Sequence, residues 1–233
     1  MSEPDASQLQ KQMLEAVHRA WLQSEVRAAS LVPSGEWMRL IEPLDRQGTA
    51  LDSDYYQKLH DEEPGYQTNN WLAEYADDLA QSKPQTVLEI GTGNGRFASR
   101  IAARVPHVIA LDWARAPGID GLPTNVTFMQ RSVLAGSLPP CDLACSADVL
   151  EHFTPADLRS LLPLLKEASD NQYHVIACYD DRHSHLTVMP PAGWLALFLG
   201  FFPDARLSNA HCRRGSARQV VCTVSTGRAG SAA

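Results

Sequence analysis

Residues 86–95 read TVLEIGTGNG, and this stretch decides the fold. Five strand-forming residues run without a spacer into three alternating glycines, and the helical pattern RFASRIAARV begins at Arg96. Glycines at such a turn let the backbone approach a ligand closely, and the following helix exposes its first amide groups there. Ligands of open α/β sheets bind outside the carboxyl ends of the strands, so the stretch predicts a ligand site at residues 89–95.

Strand-forming runs alternate with helical stretches through the rest of the chain. The runs are HVIALD, VTFMQ, DLACS and YHVIACY, followed by the helix PPAGWLALFLG and by the strands ARLSNAH and RQVVCTV around the link CRRGSA. This alternation favours a parallel sheet, and the last two strands favour a hairpin. We therefore predict an α/β fold with a doubly wound, mostly parallel seven-stranded sheet and a C-terminal antiparallel hairpin. The basic cluster of that hairpin, Arg213, Arg214 and Arg218, is expected to be solvated.

The first 80 residues carry helical patterns. Asp5 and Gln8 resemble a capping pair before apolar positions at helical spacing, a second short helix is expected around EWMRLI, and a third around Trp71 and Leu79. We predict a helical cap over residues 1–80, a core over 81–226 and a disordered tail over 227–233. A polar and aromatic run is expected either to lie over the ligand pocket or to serve plain helix packing; it comprises Tyr55, Tyr56, His60, Tyr66, Asn69 and Asn70.

Composition excludes several classes of function. The formal charge of −7 and the short basic cluster argue against a nucleic-acid partner. Five cysteines without a CxxC pair suit a reducing compartment, and the start MSEPDASQLQKQ lacks the regions of a secretory signal. The longest apolar run, GWLALFLGFF, is about half of the ~20 residues that a membrane-spanning helix needs. We expect a cytoplasmic protein without a membrane span, and the sequence leaves its oligomeric state open.

Glu89 decides between two kinds of ligand. A dinucleotide fingerprint would require glycine at position 96, where Arg96 stands. A pyrophosphate on this turn would bring negative charges towards Glu89, and one unit-charge contact near 4 Å costs about 1 to 4 kcal/mol. S-adenosylmethionine (AdoMet) instead carries an ammonium and a sulfonium group, which an acidic strand end attracts. We therefore predict AdoMet as the cofactor and disfavour a nicotinamide-linked oxidoreductase.

The second strand supports this cofactor. It ends in Asp112, where a carboxylate can accept hydrogen bonds from both ribose hydroxyls. Trp113 follows and is placed to stack on adenine. Taken singly, the two residues are equally consistent with a helix-capping aspartate and a core tryptophan.

Three motifs together resemble the class I AdoMet-dependent methyltransferases: VLEIGTGNG, VIALDW and CDLACSADVLEHF, within residues 86–225. The resemblance implies that Asp112 holds the ribose, that Trp113 borders the adenine and that Asp148 lies near the methyl group. It also implies cofactor contacts along the methionine part from Glu89, Gly91, Thr92 and Gly93.

The third strand departs from the family pattern. The family commonly has an acidic residue there that accepts a hydrogen bond from the adenine amino group, whereas this chain has Ser132, followed by Val133. A serine hydroxyl accepts the same hydrogen bond more weakly than a carboxylate. We expect cofactor contacts at both positions and a modest cofactor affinity.

Histidines follow the fourth and fifth strands. His152 ends the DVLEHF stretch, and His185 belongs to YDDRHSH, which opens onto the same rim. Either histidine is a candidate base for a hydroxyl acceptor, although a structural role is also consistent with the pattern. The loop residues Asp180, Asp181, His183 and His185 could supply a base or, with Asp148, resemble the set that binds magnesium in some sugar O-methyltransferases. Their spacing is not diagnostic and is equally consistent with an exposed loop, so we expect no metal.

These patterns predict a methyltransferase that acts on a small-molecule or glycan acceptor, with a hydroxyl as the favoured acceptor group. A non-catalytic AdoMet-binding regulator, or the inactive partner of a heterodimer, would keep the cofactor motifs without needing a base. The polar rim around His152 and His185 favours the enzyme.

Overall fold

The computed structural model describes residues 39–40, 51–181, 183–216 and 218–227. The helices are α1 (Ser53–Glu62), α2 (Pro64–Thr68), α3 (Ala76–Ala80), α4 (Arg96–Ala102), α5 (Pro155–Ala168) and α6 (Pro191–Leu199). The strands are β1 (Arg39–Leu40), β2 (Thr86–Ile90), β3 (His107–Asp112), β4 (Val126–Gln130), β5 (Leu143–Ala147), β6 (Gln172–Ala177), β7 (Thr187–Val188), β8 (Arg206–Cys212) and β9 (Val220–Ser225). Short 3₁₀ turns occupy Ala73–Tyr75, Pro117–Gly121, Leu150–His152 and Arg213–Gly215.

Seven strands form one sheet in the order β4-β3-β2-β5-β6-β9-β8. The first five in this order pair in parallel, and β9 pairs antiparallel with both β6 and β8. This arrangement confirms the predicted doubly wound sheet with its C-terminal hairpin. The chain leaves β2 for β3 and β4 on one side and returns to β5 on the other, so the strand order reverses between β2 and β5. A ligand crevice is expected at their carboxyl ends.

Each face of the sheet carries its own apolar layer, because successive strand residues point to opposite faces. On one face, Leu88 and Ile109 contact the buried leucines of α5 and the aromatic side chains of α6. On the other face, Val87 and Val108 pack against α4 and α3. The second layer also contains Leu72, so the segment that precedes β2 is packed onto the sheet.

Helices α5 and α6 show how the sequence sets their limits. Thr154 and Asp157 form a reciprocal capping box at the start of α5. The apolar run 193–202 lies in and just beyond α6, which ends at Gly200 and buries Trp194 and Phe198, as predicted for a core helix. Within the described residues, none of the helices is long and apolar enough to cross a membrane.

The N-terminal prediction is wrong at one described point. Arg39 and Leu40, expected in a short helix around EWMRLI, form β1 and pair antiparallel with Val188 and Thr187 of β7. Arginine and leucine both favour helices, but propensity is a weak preference that strand pairing in the tertiary structure overrides. The helix expected from Asp5 onwards lies outside the described residues, as does the tail from residue 228. The boundaries 1–80, 81–226 and 227–233 stay a prediction.

Candidate active site

The glycine turn closes tightly against the segment after β5. Gly91, Gly93 and Gly95 have φ angles of 68°, 53° and 73°, a region that glycine reaches without strain. A β-carbon at Gly91 would lie 2.3 Å from Cγ2 of Val149. Gly91 is therefore required both by its backbone conformation and by the close approach of the neighbouring strand end.

Glu89 lies buried at the end of β2, with 2% of its surface exposed. Its Oε2 accepts a 2.6 Å hydrogen bond from the hydroxyl of Thr92. Burial raises the pKa of Glu89 to about 8; the charge of Asp112 acts in the same direction, and the Thr92 hydrogen bond opposes it. A positive ligand beside this carboxyl group would stabilise its ionised form.

Asp112 ties the glycine turn to the end of β3. Its Oδ2 accepts from the backbone N–H of Gly93 at 2.9 Å, and its Oδ1 accepts from that of Ala114 at 3.0 Å. Burial raises the pKa of Asp112 and lowers the pKa of His60, which interacts with it from α1. These two backbone hydrogen bonds fix the carboxylate of Asp112, the residue predicted to bind the ribose.

A cavity of about 400 Å³ lies at the reversal point of the sheet. Nine of the predicted site residues line it: Glu89, Gly91, Thr92, Gly93, Asp112, Trp113, Asp148, His152 and His185. The segment before β2 covers it with Tyr56, His60, Tyr66, Asn69 and Asn70, whereas Tyr55 is not in the lining. These residues come from five separate stretches of the chain, and Arg213 and Arg214 add a sixth to the lining.

Ser132 and Val133 are not among the residues that line this cavity. The Ser132 hydroxyl accepts from the backbone N–H of Leu134 at 3.2 Å, and Val133 is buried in the apolar layer beside β2 and β3. The predicted contact of these two residues with adenine stays a prediction.

Arg213 is the main residue whose environment the sequence analysis misjudged. The expectation of a solvated cluster is wrong for this side chain, which is 6% exposed. Its guanidinium donates to Oδ1 of Asp148 at 2.8 Å and lies 4.4 Å from the ring centre of Trp71. Despite its burial, the pKa of Arg213 is raised, because Asp148 stabilises the charge. The two partners are 65 positions apart, so no local pattern signals the pair.

Two histidines lie side by side at one end of the cavity, with ring centres 5.0 Å apart. Nδ1 of His152 lies 3.0 Å from the carbonyl oxygen of Ser184 and 3.2 Å from the hydroxyl of Tyr56. Nδ1 of His185 lies 2.5 Å from the carbonyl oxygen of Tyr179. Burial lowers the pKa of His152 to about 4, and the neighbouring His185 contributes to the decrease. His152 is therefore neutral near pH 7.

The structure also brings to the site Ser184 and Glu151, which the sequence analysis did not single out, and Asp181, which the sequence offered only as a base or metal ligand. Asp181 and Ser184 line the cavity, and the Asp181 carboxylate accepts from the backbone N–H groups of His183, Ser184 and His185. Glu151 is fully buried behind His152. His183 is outside the lining, with its ring centre 5.3 Å from that of Tyr55. The sequence did offer one signal for Glu151, because it directly precedes His152, a predicted site residue.

Comparison with known proteins identifies the family. The model of the methyltransferase domain family matches residues 6–220. A search of curated proteins gave no match.

Solved structures share the fold at low sequence identity. The 1,6-didemethyltoxoflavin-N1-methyltransferase of Burkholderia thailandensis, bound to 1,6-didemethyltoxoflavin and S-adenosylhomocysteine, aligns with a TM-score of 0.58 and 16% identity over 75% of this chain and 86% of its own. N-methyltransferase NodS of Bradyrhizobium japonicum WM9, in complex with S-adenosylhomocysteine, gives 0.54 and 15% over 76% and 100%. The mitomycin 7-O-methyltransferase MmcR gives 0.51 and 14% over 73% and 60%.

The family match covers nearly the whole chain, and the sheet is the mostly parallel seven-stranded sheet with a C-terminal hairpin that the sequence predicted. The chain belongs to the methyltransferase domain family and is an AdoMet-dependent methyltransferase.

Proposed function

We propose that the protein transfers the methyl group of AdoMet to a hydroxyl group of a small molecule or glycan. One observation carries the cofactor part of the proposal: four acidic side chains, Glu89, Asp112, Asp148 and Asp181, line a single cavity that also contains the glycine turn. A cavity with this lining favours a ligand with positive charge that can approach the backbone closely.

The charges of AdoMet match this lining. Its ammonium and sulfonium groups would lie along β2 and β5, near Glu89 and Asp148. Its carboxylate would need a cation, and Arg213 and Arg214 supply guanidinium groups to the lining. Because Arg213 is already paired with Asp148, Arg214 is the freer of the two for a carboxylate.

The nucleoside would lie against the end of β3. Each oxygen of Asp112 accepts one backbone hydrogen bond and keeps a further lone pair for a ribose hydroxyl. Trp113 lines the same part of the cavity and offers an aromatic face to adenine. Contacts from Ser132 and Val133 would require the adenine to extend beyond the cavity lining.

The acceptor would enter at the end lined by His152 and His185. Methyl transfer is an in-line displacement, so the enzyme must align the acceptor atom with the methyl carbon and sulfur and help a hydroxyl to lose its proton. The two histidines are the groups we hold responsible for activating that hydroxyl. A small acceptor is favoured by the cavity of about 400 Å³ and by neighbours whose names give small molecules as substrates.

Calorimetric titration tests the cofactor assignment. We expect AdoMet and S-adenosylhomocysteine to bind with one site per chain, and NAD to show no comparable binding. Replacing Asp112 by alanine should weaken AdoMet binding by about 1.5 to 3 kcal/mol, since it removes hydrogen bonds to a charged group. Tighter binding of NAD than of AdoMet, or an unchanged affinity in the variant, would overturn the assignment.

Transfer of a radioactive methyl group tests the acceptor. Panels of phenols, sugars, amines and thiols should be compared in parallel, with the product atom identified by mass spectrometry and NMR. We expect hydroxyl compounds to be methylated. Labelling confined to amines or thiols would refute the hydroxyl assignment while leaving the cofactor site intact.

A further inference from the structure

Glu151, His152 and His185 form a cluster of metal-ligating side chains at the acceptor end of the cavity. One oxygen of the carboxyl group and one nitrogen of each imidazole lie within 4.8 Å of one another. Glu151 and His152 come from the 3₁₀ turn after β5, and His185 from the loop after β6. The parallel pairing of β5 with β6 brings these two segments together.

Each imidazole is held in one orientation by a backbone carbonyl. Nδ1 of His152 is 3.0 Å from the Ser184 oxygen, and Nδ1 of His185 is 2.5 Å from the Tyr179 oxygen. A carbonyl oxygen only accepts hydrogen bonds, so each Nδ1 carries a proton, and in the neutral ring each Nε2 keeps a lone pair. Nε2 of His185 also lies 3.8 Å from Oδ2 of Asp181, which leaves this nitrogen beside a second carboxylate. Histidines that bind a metal characteristically donate their other ring N–H to such a carbonyl.

The carboxyl group of Glu151 has one satisfied oxygen and one that lacks a partner. Oε1 accepts from the backbone N–H of Ala177 at 3.0 Å. Oε2 is buried and has no hydrogen-bond partner among the described residues, although the whole side chain is 0% exposed. Buried polar atoms almost always have a hydrogen-bond partner, so an unpartnered Oε2 indicates a missing ligand or donor. One nitrogen of each imidazole lies within 4.8 Å of an oxygen of this carboxyl group, so a cation held between the three groups would supply the missing partner.

We propose that Glu151, His152 and His185 bind one divalent first-row transition-metal ion, with Zn²⁺ the best-matched of these ions. Two imidazoles and one carboxylate are a typical ligand set for such ions, whereas Mg²⁺ and Ca²⁺ prefer oxygen ligands alone. Zn²⁺ binds these ligands at about 2.0 to 2.2 Å, so the three groups would draw together by roughly 1 Å on binding. This proposal departs from the expectation of no metal, which was drawn from a set that shares only His185 with this cluster.

The role of the ion rests on the proposed function. His152 and His185 line the cavity, so an ion between them would hold an acceptor oxygen at an open coordination position. It would lower the pKa of the bound hydroxyl, whose proton would leave to solvent. The new O–CH₃ bond would then form as the S–CH₃ bond breaks. In the metal-bound protein, the histidines act as ligands and the ion activates the hydroxyl.

Metal binding is measured first, on the full-length chain without AdoMet, so that the result is independent of methyl transfer. Protein freed of metal by chelation is titrated with Co²⁺, Zn²⁺ and, for comparison, Mg²⁺. We expect one Co²⁺ per chain with the visible absorption bands of a nitrogen- and oxygen-bound ion, displacement of Co²⁺ by Zn²⁺, and much weaker binding of Mg²⁺. No specific binding of Co²⁺ or Zn²⁺ would overturn the proposal.

Variants locate the ion. Glu151→Gln, which keeps the shape of the side chain, and His152→Ala and His185→Ala should each weaken Zn²⁺ binding by about 100-fold or more. His183→Ala is the matched control, because His183 lies in the same loop but outside the cluster, and its affinity should stay within about threefold. Unchanged affinity in the three ligand variants, or equal loss in the control, would assign the ion elsewhere and overturn the proposal.

If the variants fail to fold, a measurement on the unsubstituted protein still tests the site. Imidazole nitrogen NMR should show the Nε2 signals of two histidines shifting on addition of Zn²⁺ while their Nδ1 atoms stay protonated. Chelation should then abolish methyl transfer to a hydroxyl, and Zn²⁺ should restore it. Transfer that survives chelation, in a protein shown to bind Zn²⁺ at this cluster, would remove the ion from the reaction and leave the proposed function standing.

Discussion

At the scale of single residues, Glu89 contributes an ionisable side chain to the predicted cofactor site, and Gly91 contributes the absence of a side chain. Glu89 places an ionisable group where burial disfavours its charge, which raises its pKa to about 8 in the ligand-free protein. Gly91 contributes only by lacking a side chain, in a turn with φ of 68°. The surroundings of Glu89 set its pKa, whereas the missing side chain of Gly91 lets Val149 approach the turn.

We expect the affinity for AdoMet to increase with pH between about pH 6 and pH 8. Below its pKa of about 8, Glu89 is mostly protonated in the free protein, and a positive ligand favours the ionised form. Binding therefore releases a proton, and the affinity rises by up to about tenfold per pH unit until the free carboxyl group is ionised. Calorimetry at several pH values measures this slope.

Glu89→Gln provides the control for that slope. The ligand's own amino group titrates equally in both experiments, so the ratio of the two affinities isolates Glu89. The ratio should grow with pH and level off above about pH 8. A constant ratio would show that Glu89 stays in one protonation state throughout.

Replacing Gly91 by alanine should reduce the free energy of unfolding by about 2 to 5 kcal/mol. The left-handed backbone costs about 1 to 2 kcal/mol for a residue with a β-carbon, and overpacking against Val149, 2.3 Å away, costs about 1 to 3 kcal/mol more. Urea denaturation measures the loss. Gly121→Ala is the control, because a β-carbon there meets no atom within 4 Å, and its stability should change by less than about 1 kcal/mol.

At the scale of elements, Arg213 fastens the C-terminal hairpin to the rest of the site. It follows β8, reaches Asp148 after β5, and packs its guanidinium on Trp71 before β2. Asp148 itself has a φ of 53°, a strained value for a residue with a side chain. The ion pair thus holds a strained residue at the strand end where the methyl group is expected.

Arg213→Ala should lower the free energy of unfolding by about 2 to 4 kcal/mol and weaken AdoMet binding. Removal of one partner leaves Asp148 as a partly buried charge without its counter-ion. Arg214→Ala is the matched comparison: Arg214 is exposed and lies 5.4 Å from the same Trp71 ring, so its loss should cost less than about 1 kcal/mol of stability. Equal destabilisation by both changes would contradict the assigned role of Arg213. Thermal and urea unfolding distinguish the two cases.

At the scale of the whole molecule, the segment before β2 has two separate roles, packing on the sheet and covering the cavity. Leu72, Ala76 and Leu79 belong to the apolar layer of the sheet. Tyr56, His60 and other residues up to position 70 cover the cavity. The predicted cap of residues 1–80 therefore contains both core-packing and pocket-covering parts.

Two shortened chains would test these two roles separately. A chain that begins at residue 70 keeps the buried apolar side chains Leu72, Ala76 and Leu79 and should fold. Its AdoMet affinity should fall by about tenfold or more because the cavity is opened to water. A chain that begins at residue 81 also loses Leu72 and Leu79, each worth about 2 to 5 kcal/mol, and should not fold stably. Circular dichroism and calorimetry report folding and binding, with a chain from residue 51 as reference. Full affinity in the chain from residue 70 would mean that residues 51–69 do not contribute to the site.

The sequence by itself determined the sheet, the glycine turn and the placement of Glu89, Asp112 and Trp113 around one cavity. These features follow from local patterns, because the period of apolar residues selects strand or helix and the residue that ends each parallel strand must face the crevice. Only the tertiary structure decided that Arg213 pairs with Asp148, that Glu151 and His185 meet, and that β1 pairs with β7. Each of these contacts joins segments far apart in the chain, and it is the packing of the sheet and its loops, rather than any short-range spacing, that brings such groups within bonding distance.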